Sequence, residues 1–237
     1  MTFNIHHGRG RDKQLDLNRI AEIIAGSGAD IIGLNEVDKY FSKRSDNQDQ
    51  IGWLAKQLNM QHAFSPSLSL RFKKTAPARQ YGNALLSRYP IVNAKSHLLN
   101  ILPGIVEGRS ILEATLQINE KCLKINVTHL SLNPILHRKQ TNFMINQFIN
   151  SSDPTIIMGD WNMKPESRDW RKITHEFQDA WNIAGKGAGF TYPSLRPRSR
   201  LDYLFVSPHF RVINVDIITN NPKASDHLPL KATFSFC

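Results

Sequence analysis

Short apolar, β-rich runs recur from one end of the chain to the other, and several stop abruptly in a cluster of polar residues. They cover 31–34, 84–86, 111–118, 123–127, 155–158, 204–206 and 230–234, and 2–5 reads as one more at the start. Short apolar runs bounded by polar residues are strands sooner than helices. A chain built this way must form sheets, and sheets need cover. Leu17, Ile20, Ile23 and Ile24 share one helical face. Ile135, Met144, Ile145 and Phe148 do so less regularly, and a third helix is expected over 48–58. Leu116 and Ile118, then Leu123, Ile125 and Val127, alternate on either side of Asn119-Glu120, which predicts an antiparallel hairpin and disfavours an all-parallel sheet. The expected architecture is α/β, with mixed sheets packed together and helices on their outer faces. No repeat or low-complexity tract interrupts the pattern, so 1–237 is expected to be a single domain.

Charge narrows the partners. Lys and Arg outnumber Asp and Glu by 30 to 20, a formal charge of +10, so the surrounding field draws anions such as nucleic acid, lipid headgroups or free phosphates. A basic but inert surface would carry the same number. Cys122 lies in a strand-like stretch and Cys237 ends the chain, which argues against a disulfide framework and for a reducing, cytoplasmic compartment. The sequence carries neither a recognisable signal peptide nor an apolar run long enough to span a bilayer. Because 2–5 already reads as strand, residues upstream of Met1, and with them export, stay open. Two basic stretches read as loops, 65–81 with Arg71, Lys73, Lys74 and Arg79, and 185–200 with three arginines.

The strand ends carry the chemistry. Residues 31–34 run into Asn35-Glu36, 155–158 into Gly159-Asp160-Trp161-Asn162, and 123–127 into Thr128-His129. Near the C-terminus Ser225-Asp226-His227 precedes another run, and Arg200-Leu201-Asp202-Tyr203 opens one. Singly, each has an ordinary structural explanation: a solvated Glu, Asp and Asn in turns, a histidine beside a strand. Together they are carboxylates, amides and imidazoles delivered to strand ends, where ligand crevices form in α/β proteins. Oxygen-rich ligation with neutral amides and no cysteine suits a hard cation such as Mg²⁺.

Thr2-Phe3-Asn4-Ile5-His6, Leu34-Asn35-Glu36-Val37, Tyr81-Gly82-Asn83-Ala84-Leu85-Leu86-Ser87, Thr128-His129-Leu130, Gly159-Asp160-Trp161-Asn162, Arg200-Leu201-Asp202-Tyr203 and Ser225-Asp226-His227 occur in that order. The set resembles the ordered motifs of the endonuclease/exonuclease/phosphatase superfamily, which includes pancreatic-type deoxyribonucleases, apurinic endonucleases, sphingomyelinases and inositol polyphosphate 5-phosphatases. The resemblance spans nearly the whole chain. It implies a deoxyribonuclease I-like four-layer α/β/β/α sandwich and a Mg²⁺-dependent phosphohydrolase, with Mn²⁺ as a substitute. By the same resemblance Asn4, Glu36 and Asp226 hold the metal, and Asp160 and Asn162 position and activate the attacking water. His227 sits on the phosphate, Asp202 orients it, and His129 contacts the phosphate or assists the leaving group. His6, Asn83 and Arg109 are further candidates for substrate contact. Apurinic endonucleases carry an Asp where this chain has His6, which shifts weight toward branches without that carboxylate.

Within this chemistry the charge favours a nuclease-type phosphodiesterase, with Arg9, Arg11, Lys73, Lys74, Arg196, Arg198 and Arg200 available to line a groove. A phosphodiesterase for lipid headgroups at a membrane surface, or a small-molecule phosphatase, is the alternative. A non-catalytic scaffold, or a sheet protein with chance polar strand ends, would leave these groups unused or scattered. The chain is expected to act as a monomer.

Overall fold

A computed structural model describes residues 1–72, 75–99, 108–149 and 151–237. Lys73 and Lys74 of the expected basic loop lie outside the described residues. In chain order the strands are β1 (Thr2–Asn4), β2 (Ile31–Lys39), β3 (Gln61–Leu70), β4 (Arg79–Ser87), β5 (Ile91–Leu98), β6 (Ser110–Ile118), β7 (Lys121–His129), β8 (Thr155–Asp160), β9 (Gln178–Asp179), β10 (Asp202–Val206), β11 (Phe210–Ile217) and β12 (Leu230–Phe236). The helices are α1 (Leu17–Ser27), α2 (Gln50–Leu58), α3 (Pro134–Phe148), α4 (Arg168–Thr174) and α5 (Ala180–Ala184).

These strands form two six-stranded sheets, ordered β11-β12-β1-β2-β4-β3 and β5-β6-β7-β8-β10-β9. Each holds one parallel pair at its centre, β1 with β2 and β7 with β8, among antiparallel neighbours. Both sheets are therefore mixed, and the hairpin expected around Asn119-Glu120 is the antiparallel β6–β7 pair.

Three apolar layers hold the stack together. Ile20, Ile23 and Ile24 of α1 and Ile51 and Leu54 of α2 pack on Phe3, Ile32 and Leu34 of the first sheet. Between the sheets, Leu85 and Leu230 meet Leu112, Val127, Ile156, Met158 and Leu204. Outside the second sheet, Met144, Ile145 and Phe148 of α3 and Trp170 and Ile173 of α4 cover Ile157, Tyr203 and Phe205. Period-two alternation explains the sorting, since Ile157 points out while Ile156 and Met158 point in. The result is an α/β/β/α sandwich. Gly33 lets its two sheets close near the site, because a Cβ there would sit 2.6 Å from Met158 Sδ and 3.1 Å from Val127 Cγ2. Among the described residues, no helix is long and apolar enough to cross a membrane.

One expected loop is different in the structure. Much of 65–81 is strand, since β3 continues to Leu70 and β4 begins at Arg79. Serines hide this in the sequence: Ser65 and Ser67 are buried, and Ser67 Oγ pairs with Ser110 Oγ at 3.0 Å, so a polar residue stands where alternation calls for an apolar one. The stretch 185–200 carries no named helix or strand apart from the bridge between Tyr192 and Ser199. Both cysteines are free and exposed.

Candidate active site

The parallel pairs decide where the polar residues gather. In β1 and β2 Asn4 lies level with Asn35, and in β7 and β8 His129 lies level with Asp160; Asn4, His129 and Asp160 close their strands, while Asn35 sits inside β2 where its register with β4 slips. β10 runs antiparallel to β8, which puts its first residue, Asp202, opposite Asp160. β12 runs antiparallel to β1, so the segment just before it, Asp226-His227, arrives at the same edge.

Asp160 is the centre of this edge. Asn4 Nδ2 donates to Asp160 Oδ2 at 3.1 Å and to Glu36 Oε1 at 3.0 Å, yoking a carboxylate from each sheet. His129 Nε2 lies 3.5 Å and His227 Nε2 3.6 Å from the same Asp160 Oδ2. His227 Nδ1 is 2.8 Å from Asp202 Oδ2, and ligand atoms of Asp160, Asp202 and His227 all fall within 4.8 Å of one another. Asn162 is fixed beside Asp160, its main-chain N–H donating to Asp160 Oδ1 at 3.0 Å and its amide to the Leu130 carbonyl at 3.0 Å. Ser225 Oγ donates to the Asn4 carbonyl at 2.7 Å, tying the Asp226-His227 segment to β1. The Tyr192 ring lies 4.8 Å from that of His227.

Burial sets the charges. Desolvation pushes the Asp160 carboxyl up to about 7, against the pull of the His227 charge. Burial also drags His227 down, but the Asp202 and Asp160 carboxylates outweigh it and lift the imidazole to about 10. His129 is held well below its ordinary range by burial, then by Arg109 and His227, so it is a neutral imidazole at physiological pH. His227 is therefore the cationic histidine of the pair.

Glu36 shows how local backbone serves the site. The β2–β4 register slips between Leu34 and Val37, and Glu36 takes a left-handed φ of 59° inside that irregularity, turning its side chain out of the pleat. Asn162, His6 and His7 also have positive φ, at 49°, 45° and 45°. Such backbone costs on the order of 1 kcal/mol or more per residue and concentrates at functional sites.

Glu36, Asp160, Asp202 and Asp226 form no ion pair with a lysine or arginine among the described residues; His227 lies beside Asp160 and Asp202. Half-buried Glu36 and Asp226 are hard oxygen donors beside buried Asp160. A donor set of carboxylates in excess of cations fits a divalent metal.

Several residues stand otherwise than their expected parts imply. Asn4 turns its amide nitrogen to the carboxylates, while its Oδ1 accepts from the His6 N–H at 3.1 Å. Asn83 is buried and committed to the scaffold, accepting from Asn35 Nδ2 at 2.8 Å and donating to the Ser110 carbonyl at 2.8 Å. A residue so engaged braces the site and has no donor to spare for a phosphate. His6 is half-buried, with Nδ1 3.0 Å from the Arg9 carbonyl. Arg109 is largely buried and acts on His129 by its charge.

Other residues that shape the site carried no distinct signal. Asn35 accepts from the Asp160 N–H at 2.9 Å and donates to Thr128 O at 2.8 Å, so it links the sheets directly at Asp160. His137 on α3 lies 2.7 Å from the Trp161 carbonyl and 2.7 Å from Asp169, bracing the chain between Asp160 and Asn162. An amide inside a strand motif and a histidine on a helix look ordinary in a sequence.

Comparison with known proteins agrees with this geometry. The family described as Endonuclease/Exonuclease/phosphatase family matches residues 1–227. A structure of an endonuclease/exonuclease/phosphatase from Beutenbergia cavernae superposes with a TM-score of 0.84 at 24% identity, covering 99% of this chain and 70% of that one. A mannosyl-6-phosphatase from Bacteroides thetaiotaomicron superposes with a TM-score of 0.79 at 16% identity, over 99% and 98% of the two chains. The uncharacterized protein YbhP of Escherichia coli K12 is 22% identical over 250 residues, 98% of this chain and 94% of its own. At these identities the structural likeness shows the fold.

Proposed function

The chain belongs to the endonuclease/exonuclease/phosphatase family, whose members are phosphoester hydrolases, and we propose that its reaction is the Mg²⁺-dependent hydrolysis of a phosphodiester by direct attack of water. The observation that carries this reading is the meeting of Asn4, His129 and His227 on one oxygen of Asp160, with Asp202 behind His227. It unites a base, a cationic donor and its orienting carboxylate.

Asp160 takes the proton of the attacking water, and a carboxyl lifted to about 7 is well matched to that task near neutral pH. Asn162, held by Asp160 and Leu130, aims that water. His227 donates from Nε2 to a phosphate oxygen as negative charge builds, and Asp202 fixes the Nδ1–H so that Nε2 keeps its proton. Neutral His129 adds a hydrogen bond on the leaving-group side. Glu36 and Asp226, with Asn4 beside them, are the residues that would hold Mg²⁺ or Mn²⁺. Bound there, the ion supplies Lewis-acid polarisation of a phosphate oxygen, an effect of several kcal/mol.

A nuclease-type substrate is favoured by the charge of +10. A lipid phosphodiester is the second reading, favoured by exposed Leu132 and Ile135 just after His129, which would suit an apolar headgroup boundary. The test is hydrolysis of bis-p-nitrophenyl phosphate with Mg²⁺, repeated in chelator and with Asp160→Ala. Turnover that survives the chelator, or survives Asp160→Ala nearly intact, overturns the reading. A panel of plasmid DNA, an abasic oligonucleotide, sphingomyelin and inositol phosphates then separates the substrate classes.

A further inference from the structure

A second cleft, of about 620 Å³, opens beside Glu36 and is walled by His6, His7, Arg9, Arg11, Lys13 and Arg44 around Gly10. Ligand atoms of His6, His7 and Glu36 lie within 4.8 Å of one another, so the cleft adjoins the metal-side carboxylate. The sequence shows only a basic run after the first strand; the fold makes it a concave wall.

Three sets of contacts build that wall. The turn at His6–Gly8 is clamped from below, where buried Gln50 donates to the His7 carbonyl at 2.7 Å and accepts from the Asp38 N–H at 2.9 Å. Arg44 is held by both oxygens of Asp38, at 2.7 and 2.8 Å, and stacks 4.3 Å over the Phe41 ring, which leaves Nη1 without a partner among the described residues. On the far side the Arg11 N–H donates to the Lys223 carbonyl at 2.9 Å, fastening the basic loop to the segment that leads into Asp226-His227. The cleft thus adjoins Glu36, and its basic loop is tied to the segment that leads to Asp226. Among the described residues Arg9, Arg11 and Lys13 form no ion pair, and the nearby Asp12 is taken by Arg19 at 2.7 Å. With so many cations uncompensated, the His6-His7 pair faces a field that repels a metal ion and attracts an anion.

We propose that this cleft seats a second phosphate of the substrate, beside the one hydrolysed, so that the preferred substrate is a phosphodiester whose neighbouring framework carries another phosphate. The assignment rests on the hydrolase reading above and narrows its substrate class. Arg9, Arg11 and Arg44 supply planar forks suited to phosphate oxygens, and Lys13 a point charge.

The experiment compares kcat/KM with Mg²⁺ for two matched pairs. One is thymidine 5′-(p-nitrophenyl phosphate) with and without a 3′-phosphate; the other is glycerophosphoinositol 4-phosphate against glycerophosphoinositol. The wild-type protein should prefer the doubly phosphorylated member of at least one pair by about tenfold or more, and Arg11→Ala/Lys13→Ala should erase most of that ratio, since tenfold corresponds to about 1.4 kcal/mol. Both side chains are exposed and make no side-chain hydrogen bond among the described residues, so the double variant should keep the fold. Lys121→Ala, at the end of β7 away from His129, should keep the ratio. A preference in the nucleotide pair alone identifies a polynucleotide source, and one in the inositol pair alone a polyphosphorylated small molecule. A wild-type ratio near one in both pairs, a ratio unchanged in the double variant, or an equal loss in Lys121→Ala overturns the proposal. If no ester is hydrolysed at all, the hydrolase reading fails by itself. The cleft is then judged by calorimetric binding of pyrophosphate, which the double variant must weaken about tenfold for the anion site to stand.

Discussion

Asp202→Asn is the perturbation that separates the proposed roles most cleanly. Asp202 acts on His227 twice, as the nearer carboxylate charge and as the partner of Nδ1 at 2.8 Å. With it, and with Asp160 at 3.6 Å, the imidazole stays protonated up to about pH 10 despite burial. Without it, burial opposes Asp160 and Asp226 alone, and the imidazole should fall to its ordinary value near 6.5 or below. At pH 8 the protonated fraction then drops from roughly 99% to about 3%, a loss of about thirtyfold or roughly 2 kcal/mol of transition-state stabilisation. A raised histidine loses its proton as pH rises, so the deficit belongs to the basic side: wild-type kcat/KM should decline through about pH 10 and the variant through about pH 6.5, with the profiles converging below about pH 6. The stability that the pair lends follows the same sign, complete below about 6.5 and lost as pH climbs through about 10. The assay is a pH profile of bis-p-nitrophenyl phosphate hydrolysis with Mg²⁺, with thermal unfolding at each pH as control. A basic limb that stays in place while kcat/KM falls uniformly would refute the idea that a protonated His227, held by Asp202, does the donating.

Asp160→Asn should lower turnover by about two to four orders of magnitude while leaving Tm equal or higher above about pH 7, because ionising a carboxyl lifted from 3.8 to about 7 costs stability as pH rises through that window. A variant less stable than wild type at pH 8 would contradict the buried-charge argument. Gly159→Ala should be severely destabilising: its φ is +144°, and a Cβ would run into the Thr128 main-chain oxygen across the β7–β8 pairing, so a loss of about 3 kcal/mol or more is expected in denaturant unfolding. Near-wild-type stability would mean the strands pair less closely than described. Asn35→Ala strips partners from the Asp160 N–H and from Asn83 together, and should cost about 2–4 kcal/mol of stability and about tenfold in kcat although Asn35 touches no substrate. Full activity in a folded Asn35→Ala protein would remove it from the positioning set.

How much of this could be read in advance depended on where a strand sits. The eight apolar runs of the sequence correspond to β1, β2, β4, β6, β7, β8, β10 and β12, all interior to their sheets. The strands without such a run, β3, β5, β9 and β11, are the four sheet edges. An interior strand between a helix and a second sheet is apolar on both faces, as 155–158 are, and stands out. An edge strand need not be: β5 is largely exposed, with Asn93, Lys95 and Ser96 on show, and its sequence reads as loop. Asp160, Asp202 and His129 lie at the ends of interior strands and Glu36 at the irregularity within β2, so these side chains stood out in the sequence, while Asn35 and Asn83, which tie one strand to another inside the sheets, did not stand out from their neighbours. The reversed orientation of Asn4 and the basic cleft beside Glu36 depend on three-dimensional neighbours that no spacing rule encodes.

The two sheets divide the chemistry between them, and that division explains why the residues at their junction matter. Asn4, Glu36 and the Asp226-His227 segment belong to the first sheet, whereas Asp160, Asn162, Asp202 and His129 belong to the second. The distance from the groups proposed to hold a cation to Asp160, and from His227 to Asp202, is therefore a property of how one sheet lies on the other. Two amides span that gap, Asn4 to Asp160 and Asn35 to the Asp160 N–H and the Thr128 carbonyl, and beneath them Gly33 admits Met158 so that the layers can approach. Apolar packing between sheets tolerates some sliding, because it is not directional. A pair of buried hydrogen-bonded amides does not, since each donor or acceptor left unpaired costs about 1–3 kcal/mol. The apolar layer thus stabilises the sandwich, while Asn4 and Asn35 fix its register at the one edge where the spacing of side chains decides what the protein can do.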